Sequence, residues 1–171
     1  MNLSKHRQAI DQLDAQIVRL LNARTQHALA IGDIKLKAGE EIYAPHRERA
    51  VFERVCGHNN GPITNDQLRA IYREIMSSAL ALEKTMTIAY LGPEATFTHQ
   101  AAIRRFGSSL RYAAQKTIGD VFTEVSKQRA DYGVVPVENS TEGVVTHTLD
   151  MFVDSDLKIV SQIVLRVQQC L

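Results

Sequence analysis

The opening of the chain holds an apolar pattern that keeps the period of an α-helix without a break. It runs from Leu3 to Lys37 with no proline and no internal turn signal, and Gly32 is its weak position, at a cost of about 1 kcal/mol relative to alanine. Such a helix is about 50 Å long, whereas a compact domain of roughly 85 residues is about 30 Å across. The helix therefore extends beyond its own domain, and its apolar face needs cover. A second copy of the chain is the simplest cover, so the sequence predicts a dimer with interleaved helices.

One face of this helix begins as an apolar stripe and then acquires positive charge. Its positions, spaced as on one helical face, are Leu13, Ile17, Leu20, Arg24, Ala28, Ile31 and Lys35. A long cationic side chain can lie along apolar surface while its charged end reaches water. This snorkelling would explain one isolated cation, but it explains less well a cation that has other polar groups nearby.

Two further helices are predicted in the first half. Ala44-Pro45-His46 starts the second, since proline is tolerated in the first turn of a helix. Thr64-Asn65-Asp66-Gln67 has the pattern of a capping box and opens the third. Together these patterns predict an all-helical domain over residues 1–86.

After Thr85-Met86-Thr87 the pattern changes to short strands that alternate with helices. Strands are predicted at Ile88–Leu91, near Leu110–Ala113, at Tyr132–Val137 and within Leu157–Val167, with helices over Thr98–Phe106, Ile118–Gln128 and around Val144–Phe152. This alternation is typical of a parallel α/β sheet, in which ligands bind at the carboxyl ends of the strands. The polar motifs GPEATFT and ENSTEG both follow such ends, so residues 87–171 are predicted to form an α/β domain with a binding edge.

The composition excludes several classes of protein. The net charge is +1 and neither half is basic, which argues against a nucleic-acid or membrane partner. Cys56 and Cys170 are too few for a disulfide framework, and with the histidines they lack the spacing of metal ligands. No stretch is apolar enough to span a bilayer and no signal peptide precedes the first helix, so a cytoplasmic protein is expected.

The charged groups of the helical half predict a site for a small polyanion. Arg24 and Lys35 are joined by Arg47 and Glu48 at the start of the second helix, and by Glu83 at the margin of the third helix's core face. The planar fork of arginine suits both oxygens of a carboxylate. No nucleophile arrangement of Ser, Cys or His stands nearby, so the site is expected to hold and stabilise its ligand without a covalent step.

Arg7 lies off the main stripe of the first helix. It is therefore better placed to reach a partner chain than the pocket of its own chain, which adds a second reason to expect a homodimer.

These residues carry a family resemblance. The first half resembles the all-helical class of chorismate mutases in Arg7, Leu13-Asp14, Arg24, Lys35, YAPHRE (Tyr43–Glu48) and REIMSSALALE (Arg73–Glu83). The second half, with AYLGPEATFTHQAA and YGVVPVENSTEG, is similar to the opening part of a prephenate dehydratase domain. In this order the motifs resemble the bifunctional chorismate mutase/prephenate dehydratases of phenylalanine biosynthesis.

The resemblance implies a fold and a reaction. The fold is a three-helix mutase that forms an interleaved dimer, followed by an incomplete α/β domain of the periplasmic-binding-protein-like class. The reaction is the concerted Claisen rearrangement of chorismate, a dianion, to prephenate, without cofactor or metal. The protein would hold the compact conformer of the substrate and stabilise the charge that develops on the ether oxygen.

The resemblance also implies roles for individual residues. Arg24 and the partner's Arg7 would bind the substrate carboxylates, and Arg47 would support that electrostatic shell. Lys35 and Glu83 would both donate hydrogen bonds to the ether oxygen.

Three further positions complete the implied mutase site. Glu48 would bind the ring hydroxyl. Ala44 and Ala79 stand where some family members carry Asp and Ser, so the auxiliary hydrogen bonds of those members are not expected here.

In the α/β half, the resemblance places Asn139, Ser140 and Thr141 near prephenate, although these residue types also simply form a turn after a strand. The family's catalytic Thr-Arg-Phe motif and its phenylalanine-sensing domain are not found before Leu171. Mutase activity is therefore expected of this chain, and dehydratase activity is not.

Two alternatives from other classes stay open. One is a non-catalytic ligand-binding regulator with a helical dimerisation module. The other is a ligand-responsive transcription regulator, which needs a basic recognition helix that the charge balance of the helical half does not favour.

Overall fold

A computed structural model of the chain describes residues 2–140 and 143–167. The chain divides into two compact units, Met1–Tyr43 and Ala44–Leu171. The predicted domain boundary between residues 86 and 87 lies inside the second unit.

The first unit is one long helix, α1, over Leu3–Ala38, as the uninterrupted apolar period predicts. Asn2 caps its start, because its side-chain oxygen accepts a hydrogen bond from the Ser4 N–H at 3.2 Å. Gly39 ends it in the left-handed conformation (φ 69°), with its N–H donating to the Leu36 carbonyl. Large apolar side chains remain exposed along the helix, among them Ile10, Leu13, Ile17, Leu20, Ile31 and Ile34.

The second unit opens with two helices, α2 over Pro45–Gly57 and α3 over Asn65–Glu83. The predicted capping box is present at the start of α3: the Thr64 hydroxyl accepts from the Gln67 N–H at 3.2 Å, and the Gln67 side chain accepts from the Thr64 N–H at 2.9 Å. The sequence therefore located the starts of both helices correctly.

A three-stranded parallel sheet follows, which confirms the predicted parallel α/β sheet. Its strands are β1 (Thr87–Leu91), β2 (Arg111–Gln115) and β3 (Tyr132–Val134), in the order β2-β1-β3. Helices α4 (Phe97–Phe106) and α5 (Ile118–Ser126) connect them. The central strand is buried because both of its neighbours and the helices cover it, and Ala89 packs with Val121 and Ala130 in the core.

The end of the chain differs from the sequence prediction. Strand β3 stops at Val134, and a two-stranded antiparallel pair, β4 (Glu138–Asn139) and β5 (Gly143–Val144), occupies part of the predicted loop before α6 (Thr146–Val153).

The predicted strand within Leu157–Val167 is wrong, since these residues have no regular structure. Its β-branched side chains are typical of strands, but a strand needs a neighbouring backbone to pair with. The described residues provide none for this segment, and Ile159 and Val164 stay exposed.

Helix α3 packs directly on the α/β part within the second unit. Glu74 accepts hydrogen bonds from the N–H and hydroxyl of Ser108 at 3.0 and 2.6 Å, and the buried Ser77 hydroxyl accepts from the Ser109 N–H at 3.2 Å. These bonds fix the segment between α4 and β2 against the middle of α3.

Asp131 joins the end of α3 to the sheet. One of its oxygens lies 2.6 Å from the Lys84 ammonium, and the other accepts from the Thr87 N–H at 2.9 Å. The junction between the helical part and β1 is thereby tied to the start of β3.

Candidate functional site

Lys35 is the best-anchored cation of the first unit. Its ammonium donates to the carbonyl of Ile42 at 2.9 Å and to that of Glu41 at 3.2 Å. The left-handed turn at Gly39 brings these carbonyls back over the last turn of α1. An ammonium has three donors, so the two carbonyls fix its position and leave one N–H for a ligand.

The other predicted cations of α1 differ in burial. Arg24 is half-buried, whereas Arg7 is exposed. With a rise of about 1.5 Å per residue, Arg7 and Arg24 are about 25 Å apart along the helix axis. A small dianion cannot bridge that distance, so these two arginines of one chain do not form one site.

The start of α2 carries three of the predicted substrate-binding residues. Ala44 is the N-cap residue, and its methyl group makes no capping hydrogen bond. Arg47 is exposed in the first turn. Glu48 is the acidic residue of that turn, where a carboxylate is favourable near the positive end of the helix dipole.

Glu48 forms an ion pair that the sequence did not indicate. Its Oε2 lies 2.7 Å from Nη1 of Arg105 at the end of α4, and the two side chains are 12% and 20% exposed, respectively. Sequence reasoning missed Arg105, because Arg104-Arg105 at a helix end has the ordinary pattern of cations near the negative end of the dipole. No local signal could have paired it with a residue on α2.

Helix α3 carries the remaining two predicted mutase residues. Ala79 is buried at 3% exposure, and Glu83, one turn later, is the half-buried last residue of the helix. The second unit thus holds Ala44, Arg47, Glu48, Ala79 and Glu83, and the first unit holds Arg7, Arg24 and Lys35.

The GPEATFT motif forms the connection from β1 to α4. Thr96 caps α4 by accepting from the His99 N–H at 3.4 Å, and its hydroxyl contacts the Pro93 carbonyl at 2.9 Å. His99 accepts from the Ala95 N–H at 3.0 Å through Nδ1 and stacks on Tyr90 with ring centroids 4.5 Å apart. These hydrogen bonds and the ring stack therefore fix the motif at the carboxyl end of the central strand.

The predicted prephenate-binding residues lie beyond β3. Asn139 ends β4 and Ser140 follows it, and both are exposed. Thr141 lies outside the described residues. Because β1 and β3 are parallel neighbours, the motifs that follow them leave the same edge of the sheet.

Burial and charge perturb one tyrosine beside α3. The Tyr112 hydroxyl donates to the Gly107 carbonyl. Desolvation raises the pKa of Tyr112, and the nearby Glu74 carboxylate raises it further. The phenol is therefore held in its neutral, donating form at this contact.

No group of histidine, cysteine and acidic residues suited to a metal ion occurs among residues 2–140 and 143–167. Over the same residues, none of the helices has the length and apolarity to cross a bilayer.

Comparison with known proteins assigns a class to each part of this architecture. Residues 6–84 match the family described as chorismate mutase type II, and residues 88–171 match the family described as prephenate dehydratase. The chain therefore combines a helical region of the mutase class with an α/β region of the dehydratase class.

Curated relatives carry both regions in one protein. A bifunctional chorismate mutase/prephenate dehydratase of Aquifex aeolicus is 53% identical over 95% of this chain and 46% of that protein. One of Neisseria gonorrhoeae is 49% identical over 96% of this chain and 45% of that protein. Over nearly all of its length this chain is similar to these bifunctional chorismate mutase/prephenate dehydratases, and it spans about half the length of the curated relatives it matches.

Among solved structures, a chorismate mutase of Thermus thermophilus is 28% identical, with a TM-score of 0.47 over 47% of this chain and 92% of that one.

Proposed function

We propose that the helical part of this chain catalyses the rearrangement of chorismate to prephenate. The observation that carries the proposal is the anchoring of Lys35, whose ammonium is fixed by the carbonyls of Glu41 and Ile42. A donor that is already oriented stabilises charge as it develops in the transition state, without reorganisation at the moment of reaction. The third N–H of Lys35 donates to the ether oxygen as the carbon–oxygen bond breaks.

The remaining mutase residues hold the substrate around that donor. Arg24 binds one carboxylate bidentately, and Arg47 strengthens the positive field. Glu48 accepts a hydrogen bond from the ring hydroxyl, and Glu83, when protonated, donates to the ether oxygen beside Lys35. Ala44 and Ala79 border the site, and their methyl groups offer no hydrogen bond.

The site is completed by a second copy of the chain. The separation of about 25 Å along α1 supports a model in which the second carboxylate is bound by the partner's Arg7. The exposed apolar residues of α1 support the same arrangement, since monomeric proteins rarely leave a large contiguous apolar face in water. We therefore propose an interleaved homodimer built on α1.

The α/β part is proposed to bind prephenate at the carboxyl edge of its sheet. The observation that favours this is the adjacency of β1 and β3, which sends GPEATFT and the Asn139–Thr141 segment away from one edge. Ligands of open α/β sheets bind at such edges. The proposed fold class is that of the periplasmic-binding-protein-like domains.

The mutase proposal is tested by adding chorismate to the purified chain, following its disappearance by absorbance, and identifying the product. Lys35→Met is expected to lower kcat by about a hundredfold, the usual effect of removing one oriented transition-state donor. Lys37→Met is the matched control, because Lys37 is an exposed lysine in the same last turn of α1, and its kcat should stay near wild type. Equal, small effects on kcat at both positions would show that Lys35 is not the catalytic donor, and that its side chain only covers apolar surface while its ammonium reaches water.

The role of Glu83 is tested by kcat measured against pH. A carboxyl group donates only when protonated, so turnover should fall as pH rises, and Glu83→Gln, a permanent donor of similar shape, should flatten that decline. An unchanged profile would assign the ether oxygen to Lys35 alone. Chorismate that binds the chain without being consumed would favour the non-catalytic regulator instead.

A further inference from the structure

The ion pair between Glu48 and Arg105 links the two regions of the chain at a proposed substrate-binding residue. The Nη1–Oε2 distance is 2.7 Å, and both side chains are largely shielded from water. Exposed ion pairs hold their geometry weakly, because solvent competes and two long side chains must be ordered. Shielding from solvent strengthens the attraction between the two charges, so this pair restrains the Glu48 carboxylate more firmly than an exposed pair would.

The end of α4 that carries Arg105 is itself fixed to the helical part. Gly107 caps α4 through its N–H, which donates to the Ile103 carbonyl at 2.8 Å. An added Cβ at Gly107 would lie 2.4 Å from the Ser77 Cβ, so the backbone there touches α3 directly. The next residue, Ser108, bonds to Glu74. The end of α4 that carries Arg105 therefore cannot shift independently of α3.

We propose that Arg105, a residue of the dehydratase region, is a positioning residue for the mutase reaction. It holds the Glu48 carboxylate in the orientation that accepts the substrate's ring hydroxyl, and it does not touch the substrate itself. A carboxylate offers several acceptor sites, so one oxygen can stay with the guanidinium while the group also accepts from a ligand. This inference rests on the proposed mutase function.

The kinetic signature follows from where Glu48 acts. The ring hydroxyl is not part of the bonds that break and form, so its hydrogen bond stabilises the bound substrate and the transition state alike. Loss of such uniform binding raises KM and leaves kcat nearly unchanged. Arg105→Met keeps an unbranched apolar stem at this position and removes the guanidinium donors, and it should raise KM for chorismate about tenfold.

The test is a double-mutant cycle on the full chain. KM and kcat are measured for wild type, Arg105→Met, Glu48→Gln and the double variant, with Arg104→Met as the matched control because Arg104 is its exposed neighbour on α4. The KM increase caused by Arg105→Met should disappear when Glu48 is already Gln, and Arg104→Met should leave KM unchanged.

Two results would overturn the proposal: an unchanged KM in Arg105→Met, or an increase of the same size in both Glu48 backgrounds, which is what a general loss of structure produces. Circular dichroism at the assay temperature checks folding, and Arg105→Gln replaces Arg105→Met in the same cycle if the latter is unfolded. A wild-type chain that does not convert chorismate would count against the mutase activity itself. Conversion with no effect of Arg105 would count against the positioning role alone.

Discussion

Gly107 lies against Ser77 with no room for a side chain between them. A Cβ added at position 107 would lie 2.4 Å from the Ser77 Cβ and 2.6 Å from its hydroxyl oxygen. Gly107 also has a φ of 78°, in the range that favours glycine. Two independent requirements thus select glycine where α3 meets the end of α4.

Gly107→Ala should therefore destabilise the second unit strongly. The strained backbone and the overpacked contact together should cost about 3 kcal/mol. Gly39→Ala is the control, since Gly39 has a φ of 69° but nothing within 4 Å of an added Cβ, so it should cost only about 1 kcal/mol. Urea unfolding followed by circular dichroism gives both values, and equal losses would mean that the Ser77 contact contributes nothing.

Tyr112→Phe should change how stability depends on pH. The pKa of Tyr112 is raised in the folded protein by burial and then by Glu74. Its contribution is thus fully present below the unfolded pKa of about 10 and is lost as pH rises through the higher, folded value. Wild type should lose stability above pH 10 more steeply than Tyr112→Phe, which at neutral pH lacks one hydrogen bond worth about 1 kcal/mol.

The predicted difference in pH dependence is tested by measuring the unfolding midpoints of wild type and Tyr112→Phe between pH 7 and pH 11. Parallel curves would show that the phenol of Tyr112 ionises as readily in the folded chain as in the unfolded one.

Ala44→Asp should stabilise α2. Ala44 occupies the N-cap position without a side-chain hydrogen bond, and an aspartate there can accept from the first-turn N–H groups, a gain of about 1 kcal/mol. The opposite change, Thr64→Ala, removes an existing cap at α3 and should cost a similar amount. Thermal unfolding of the two variants should shift the midpoint in opposite directions, and a fall for Ala44→Asp would contradict the capping argument.

Ile17→Glu should disrupt the proposed dimer. Ile17 is 52% exposed in the single chain, and a carboxylate buried there without a partner would be costly. Gln26→Glu places the same charge on the opposite side of α1, since the two positions differ by half a turn of the helical wheel. Sedimentation velocity should find the Ile17 variant shifted to monomer and the Gln26 variant dimeric, whereas a wild-type monomer would remove the basis for an interleaved helix.

Local signals account for what the sequence predicted well. The apolar period of α1, proline in the first turn of α2 and the capping box at Thr64 each act within a few residues, and each is present in the structure. The segment Leu157–Val167 shows the limit of such signals. Its composition suits a strand, but pairing depends on a neighbour that the segment itself does not encode.

The site illustrates the same limit at longer range. The type and spacing of the side chains predict Lys35 as a donor. They do not predict that the carbonyls of Glu41 and Ile42 hold its ammonium. Glu48 could be proposed as a ligand residue, but its pairing with Arg105 depends on how α4 packs beside α2 and α3, which no periodicity encodes.

The carboxylate of Asp131 has a consequence for how the two regions were joined. It holds Lys84 and Thr87 at once, so both ends of the short connection between α3 and β1 are attached to the same side chain. A residue deleted from this connection would pull one of those bonds apart, because the shortened chain could no longer reach both of its fixed ends. The connection between α3 and β1 is therefore a fixed junction and not a flexible hinge. A recombined gene that replaced everything after residue 86 would need to supply an acidic residue equivalent to Asp131.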